Sequence, residues 1–492
     1  MIAVPGRNTP FHHTVIRGGL WVGFGFVSQQ GIAMVRTLVL ARLLTPEDFG
    51  LVGLVTLTLF AGLVLTEFGL DTVLIQRSDL PVRFVHTAWN LMLIRGIGLF
   101  LLVQGIAPWI ALAFGRPGAE YLLRVGAVSF VLVSLPVVSG ALLLRELRYR
   151  RRMLLDASRD LSGTVLAIVL ALLWGNAWAL LLGLLLGQAV AMIVAWFLHD
   201  YRPRWAMDRA AVSVYAEVGR HLYLSGLLTY VVTRGDDIVV GKVRGIHDLG
   251  QYQVVFGISE MLTRGLSETL SKVAFPAYAR MTAEGRRLVE AFDDVWRVLL
   301  FLLLPVGAVM VVFAGTIVPL VLGPQWAGAA PAFAVLAVAQ TLRALAAACG
   351  SFMLAAGKTV YLPRIKVLEV ICFGVLIVPL TTRWGLAGAA SCLVVMYSLS
   401  LAGHVYGVCQ AAPVLGRMLR SSWEPLAVTL AVAAVAWRLR PERDVWAVLG
   451  VVLWAAVWMT YLRVRHARLI HKIWGAVQGN FTSGPPVGEL RV

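Results

Sequence analysis

"LVLARLLTPEDFG", from Leu38 to Gly50, returns as "IVVGKVRGIHDLG", from Ile238 to Gly250. The offset is 200 residues throughout, so Arg42 answers to Lys242, Asp48 to Asp248, Phe49 to Leu249 and Gly50 to Gly250. Each copy is a short polar interval between two long apolar stretches. Those stretches run to about 20 residues, enough for a helix to cross a hydrocarbon layer about 30 Å thick. Helices are required there, because lipid offers no partner to a free backbone amide. Each copy therefore reads as the turn of a helical hairpin that occurs twice. A second echo, "WGNAWA" at Trp174 and "WGLAGA" at Trp384, has an offset of 210.

The same apolar pattern fills the rest of the 492 residues, of which 59% are hydrophobic and only 14% charged. Mean hydropathy is +0.80. A soluble domain carries about 25% charged residues, and the alternating segments of about 10 residues expected of a membrane barrel do not occur. About fourteen spans are expected. Their centres fall near Phe26, Thr58, Phe100, Leu132, Ala167, Gln188, Thr229, Leu262, Leu303, Leu342, Leu376, Val394, Ala433 and Leu453. The connections are too short for a folded soluble domain. The fold class is all-α integral membrane.

The repeat pairs spans one to six with spans seven to twelve. An even number of spans per unit gives both units one orientation, so the halves are expected as two six-helix bundles related by a pseudo-two-fold along the membrane normal. The first covers residues 1–205 and the second 206–412. Two additional transmembrane helices follow in 413–465, and a basic tail in 466–492. The tail interleaves Ile470, Ile473 and Trp474 with its charges and suits the membrane surface. No small-residue cleavage site follows the first apolar segment, so no removed signal peptide is expected.

Net charge is +17. With the N-terminus inside, about 26 Lys and Arg fall in inside loops and about 8 in outside ones, as expected of cytoplasmic retention. The inside set includes the run Arg145, Arg148, Arg150, Arg151, Arg152 and Arg159. The bias sets both termini in the cytoplasm and accounts for the basicity through membrane lipids, with no nucleic acid partner. Cys349, Cys372, Cys392 and Cys409 lie in apolar context without metal-ligand spacing and read as packing residues. Gly-rich phosphate loops, HExxH and GxSxG are missing, so neither catalytic residue, metal site nor cofactor is expected.

Charges inside apolar spans cost several kcal/mol unless they face a bundle interior or water, so they mark candidate sites. On the eighth span Glu260, Arg264, Glu268 and Lys272 recur every four residues and line one face. That face is either a cavity wall or a structural salt-bridge ladder against another span. The seventh span carries Arg234, Asp236 and Asp237; its mate, the first, carries Gln29, Gln30 and Arg36; the second ends on Glu67 and Asp71. Asp71, Asp236 and Asp237 also read as residues near a membrane surface. Arg95 and Arg343 stand near mid-span. Arginine suits a phosphate group, because its planar fork donates two hydrogen bonds and stays charged.

"LARLLTPEDFGLVGLV" with "LTEFGLDTVLIQR", "GDDIVVGKV" with "LGQYQVVFGISEM", then "FPAYARM" and "WGLAGAA", together resemble the polysaccharide-biosynthesis flippases. These are Wzx-type lipid-linked oligosaccharide translocases of the multidrug/oligosaccharidyl-lipid/polysaccharide exporter superfamily. The likeness weakens after about Pro413. It implies two bundles around an alternating-access cavity in the bacterial inner membrane, flipping an undecaprenyl-diphosphate-linked O-antigen or exopolysaccharide unit. It implies a cavity lined by spans one, two, seven and eight. On that basis Arg36, Arg95, Arg234, Arg264 and Arg343 are the candidates for diphosphate and acidic-sugar contacts. Asp236, Asp237, Glu260 and Glu268 are candidates for balancing those charges or carrying a coupling H+ or Na+. Polymerase and assembly proteins of the same pathway are the expected protein partners. Two other functions stay open: a drug or cation antiporter of the same superfamily, and a membrane-embedded polysaccharide polymerase or ligase. The acidic residues put a purely cationic cavity in doubt, and the short loops disfavour the polymerase.

Overall fold

A computed structural model describes residues 11–67, 69–76, 80–281, 285–411 and 414–438, with Trp454, Val457, Trp458 and Thr460. Within these, the side chains of residues 11–22, 24, 71, 76, 220–225, 264, 266, 268–277, 279–281 and 285–287 lie outside the description. All regular structure among the described residues is helical. The first half holds α1 (Phe11–Leu43), α2 (Pro46–Leu65), the short α3 (Leu70–Gln76) and α4 (Val82–Ala113). A broken span follows in three pieces, α5 (Ala119–Gly126), α6 (Val128–Ser134) and α7 (Val137–Arg145), then α8 (Tyr149–Trp174) and α9 (Ala177–Leu198). The second half holds α10 (Arg209–Val243), α11 (Ile246–Met281), α12 (Gly285–Val312), α13 (Ala314–Leu322), a 3-10 turn (Pro324–Ala329), α14 (Ala330–Ala355) and α15 (Tyr361–Ala411). Next comes α16 (Leu415–Arg438). The first thirteen expected span centres all fall in helices. The fourteenth, near Leu453, and the tail lie outside the described residues.

Local chemistry places the boundaries that matter. Thr45 caps α2 in a reciprocal box: its backbone amide donates to the Asp48 carboxylate at 3.0 Å, and the Asp48 amide donates to Thr45 Oγ1 at 3.3 Å. Pro46, which could not continue a preceding helix, sits at the first helical position. The second echo is a turn in both halves. Gly175 (φ 58°) ends α8, and Gly385 (φ 60°) breaks α15 into two spans. Both need the left-handed conformation that only glycine adopts freely. Asn176 then caps α9 by accepting the Trp178 amide at 3.1 Å.

The two hairpin turns of the opening motif meet each other. A Cβ on Gly50 would stand 1.9 Å from the Ile246 carbonyl oxygen, and one on Gly250 would stand 1.8 Å from the Pro46 oxygen. Position 246 is position 46 moved by the repeat offset, so one contact is made twice about a local two-fold. The flanking basic residues obey the same symmetry. Arg42 donates to the carbonyls of Leu320 (2.5 Å) and Val321 (3.1 Å) at the C-terminal end of α13. Lys242 donates to the Ala113 carbonyl at the C-terminal end of α4. Each half thus caps a helix C-terminus of the other, where the dipole favours a cation. Trp326 Nε1 and Gln325 Nε2 add hydrogen bonds to the Ala41 carbonyl at 2.8 and 2.9 Å. Replacing Arg42 with Ala is expected to cost about 1 kcal/mol of this closure, a roughly fivefold shift toward separated ends. Distances between spin labels at Leu43 and Val243, both exposed beside the turns, measure it.

Candidate translocation path

Among the described residues, the charges singled out from the sequence fall into three groups. The richest lies between α10, α11, α14 and α15. Tyr252 donates its hydroxyl hydrogen to Asp236 Oδ2 at 2.9 Å, and the Asp237 amide donates to Asp236 Oδ1 at 3.0 Å. Asp237 in turn takes the Arg234 guanidinium at 3.2 Å and a hydrogen bond from Gln253. Asp236 and Asp237 are buried inside the protein, about two helical turns before α10 ends. They belong to the bundle interior and not to the aqueous surface. Paired burial of this kind is tolerable only because each carboxylate is hydrogen-bonded.

On α11 Glu260 reaches across to α14. Arg343 donates to Glu260 Oε1 at 2.9 Å and to Gln340 Oε1 at 3.2 Å. An arginine on another helix thus holds Glu260. The side chains of Arg264, Glu268 and Lys272 lie outside the described residues, so the remainder of that stripe is not placed. Ser259, Thr263 and Ser267 beside it are buried, and the Ser259 and Thr263 hydroxyls turn back to carbonyls of their own helix.

The second group is in the first half. Arg36 faces α8 in a polar pocket with Gln29, Gln30 and Asp160. Arg159, read from sequence as part of a cytoplasmic loop run, lies ten residues into α8, hydrogen-bonded to Asp160 at 2.9 Å and close to Arg36. The third is Arg95, mostly buried on α4, 3.8 Å from Glu67 at the end of α2. Asp71 lies outside the described side chains.

One candidate bridges the halves. Arg234 stacks over the Phe60 ring of α2 at 5.4 Å, and Phe60 itself stacks on Tyr230 of α10 at 5.9 Å. The Arg234 side chain is 43% exposed, so one face stays available beyond Asp237 and Phe60. The described candidates lie on helices of both halves, Arg36 and Arg95 on α1 and α4, Arg234, Glu260 and Arg343 on α10, α11 and α14. Sequence reading missed Tyr252 and Gln253, whose partners Asp236 and Asp237 lie sixteen residues away, beyond any i, i+4 pattern. It also missed Gln340 and Asp160, which pair with Arg343 and Arg159 close by in the chain.

Helices of two repeats, closed on each other at one end and carrying arginines within long apolar helices, define a two-lobed helical membrane fold. Solved structures share this fold. The lipid II flippase MurJ in an inward closed conformation superposes with a TM-score of 0.74 at 12% identity, covering 92% of this chain and 99% of that one. An inward-facing multidrug resistance MATE family transporter gives 0.59 at 17% identity, over 80% and 94% of the two chains. The model of the polysaccharide biosynthesis protein family matches residues 39–331, and the chain belongs to that family. Among its relatives, the lipopolysaccharide biosynthesis protein WzxC of Escherichia coli K12 is 23% identical, over 86% of this chain and 87% of that one. The teichuronic acid biosynthesis protein TuaB of Bacillus subtilis 168 is 26% identical over 70% and 72%.

Proposed function

We propose that this chain flips a lipid-linked oligosaccharide, an O-antigen or exopolysaccharide unit on undecaprenyl diphosphate, across the bacterial inner membrane by alternating access. The observation that carries the reading is the set of arginines at membrane depth on both halves, Arg36, Arg95, Arg234 and Arg343, in a fold shared with a lipid flippase. A diphosphate is the most anionic part of such a substrate, and guanidinium groups at successive depths lower the cost of moving it through the bilayer. Arg264 belongs to the same proposal by its place on α11. Asp236, Asp237, Glu260 and Glu268 balance these charges, and the buried Asp236–Asp237 pair is the group best placed to exchange a coupling H+ or Na+.

The basic loops put both termini and the arginine-rich end in the cytoplasm. The end where Gly50 and Gly250 meet is then periplasmic and shut, so substrate enters from the cytoplasmic leaflet. Halves divided near residues 205 and 412 rock about this contact. Polymerase and assembly proteins take the flipped unit.

Deletion of the encoding gene tests the function. Surface polysaccharide is expected to disappear while the lipid-linked unit accumulates on the cytoplasmic side, with recovery on complementation. If the deletion leaves surface polysaccharide intact and instead raises retention of a cationic dye, the antiporter reading replaces this one.

A further inference from the structure

A second cavity lies in the first half, lined by none of the residues of α1, α2, α10 and α11. It is a pocket of about 350 Å³ between the start of α4, α7, the last turns of α9 and the connector 199–208. Trp89, Leu135, Ile193, Trp196, Phe197 and Tyr201 give it an apolar lining. Its mouth opens to the surroundings of the bundle, since Trp196 is 52% and Phe197 82% exposed.

The floor is rigid. Tyr201 OH lies 3.1 Å from His86 Nδ1, which accepts the Arg204 amide at 3.3 Å. Asn90 donates to the Ala206 carbonyl at 2.8 Å, and the Asp208 amide donates to Thr87 Oγ1 at 3.0 Å. Burial, with Tyr215 adding to it, holds the Tyr201 hydroxyl above its ordinary phenol range, so it stays neutral. The connector that joins the halves is thus strapped to α4, and the pocket exists before any ligand arrives.

Two arginines hold the segment that follows the exposed Phe197. Arg202 lies over the Trp196 ring at 4.5 Å and donates to the carbonyls of His199 (2.7 Å) and Tyr201 (3.0 Å). Arg151 donates to the Leu198 carbonyl at 3.0 Å. Both are exposed, and neither has a carboxylate partner among the described residues. An aromatic pocket open to the surroundings of an apolar bundle, with two guanidinium groups beside it that have no carboxylate partner among the described residues, has the chemistry of an anionic lipid site.

We propose that this pocket binds an anionic phospholipid, with one acyl chain among Trp89, Ile193, Trp196 and Phe197 and the phosphate on Arg151 and Arg202. The ligand is a resident phospholipid and not the transported polyprenyl lipid, because the pocket is lined by none of the residues of α1, α2, α10 and α11. This site is independent of the flippase reading and stands or falls on lipid binding alone.

The test uses the full chain purified in mild detergent and native mass spectrometry with phosphatidylglycerol, phosphatidylethanolamine or undecaprenyl phosphate at equal concentration. Phosphatidylglycerol is expected to be retained about tenfold better than phosphatidylethanolamine. The double variant Arg151→Gln/Arg202→Gln is expected to lose about tenfold of that retention. Met192→Trp, which fills the cavity, is expected to do the same, and Ile193→Trp at the mouth serves if Met192→Trp unfolds. Thermal unfolding should match the parent. Unchanged phosphatidylglycerol retention in well-folded variants overturns the site. So does equal retention of the zwitterionic lipid, or displacement by undecaprenyl phosphate at equal potency.

Discussion

Replacing Gly250 with Leu is expected to abolish polysaccharide export while leaving the protein in the membrane. Even a methyl group at this position would stand 1.8 Å from the Pro46 carbonyl oxygen and 2.7 Å from the Gly50 amide nitrogen. Both obstacles are backbone atoms in a capped helix start, so no side-chain rotation relieves the clash. The two hairpins must separate. Overpacking of this kind costs about 3 kcal/mol, which corresponds to a roughly 150-fold shift away from the closed state. The mirror contact makes the same demand, since a methyl group on Gly50 would stand 1.9 Å from the Ile246 oxygen. Gly50→Leu should therefore reproduce the phenotype. A transporter that cannot shut one end leaves no closed alternative for its substrate. Spin labels at Leu43 and Val243 should report a longer distance in either variant. An unchanged distance together with normal export would show that the turns do not form the closure.

How much of this was legible beforehand depends on the range of each interaction. The hairpin turns, the capping box at Thr45 and the glycine turns at Gly175 and Gly385 are local, and sequence pattern carries them. The 200-residue offset also pointed correctly to Gly50 and Gly250 as equivalents. It could not say that equivalents touch, because contact across a two-fold is a property of assembly. The same limit applied to Arg42 and Lys242, which the offset pairs as equivalents and which turn out to cap helices of the opposite half. For Glu260 the four-residue spacing marked a charged face but not its neighbour, and the structure joins it to Arg343, 83 residues away. Periodicity names the face of a helix, but only packing decides which neighbour that face meets.

That cross-helix pair yields the second large effect. Arg343→Glu is expected to reduce export by at least about tenfold, because it sets two carboxylates against each other in a partly buried site. This result alone would not separate a structural pair from a substrate contact, since removing one partner of a buried pair destabilises either way. The exchanged variant Glu260→Arg/Arg343→Glu separates them. It restores opposite charges across the α11–α14 interface, so protein level and thermal unfolding should return to near the parent values. Export should not return, because a carboxylate now occupies the place on α14 from which, on the proposed path, a guanidinium meets the diphosphate. The 31% of the Arg343 side chain left exposed beside Glu260 and Gln340 is the surface available for that contact. Arg343→Lys supplies a further discrimination: charge is kept and the two-pronged fork is lost, so export should fall while stability holds. If the exchanged variant exports at the parent rate, the pair is purely structural and the path must be sought along Arg36, Arg95 and Arg234.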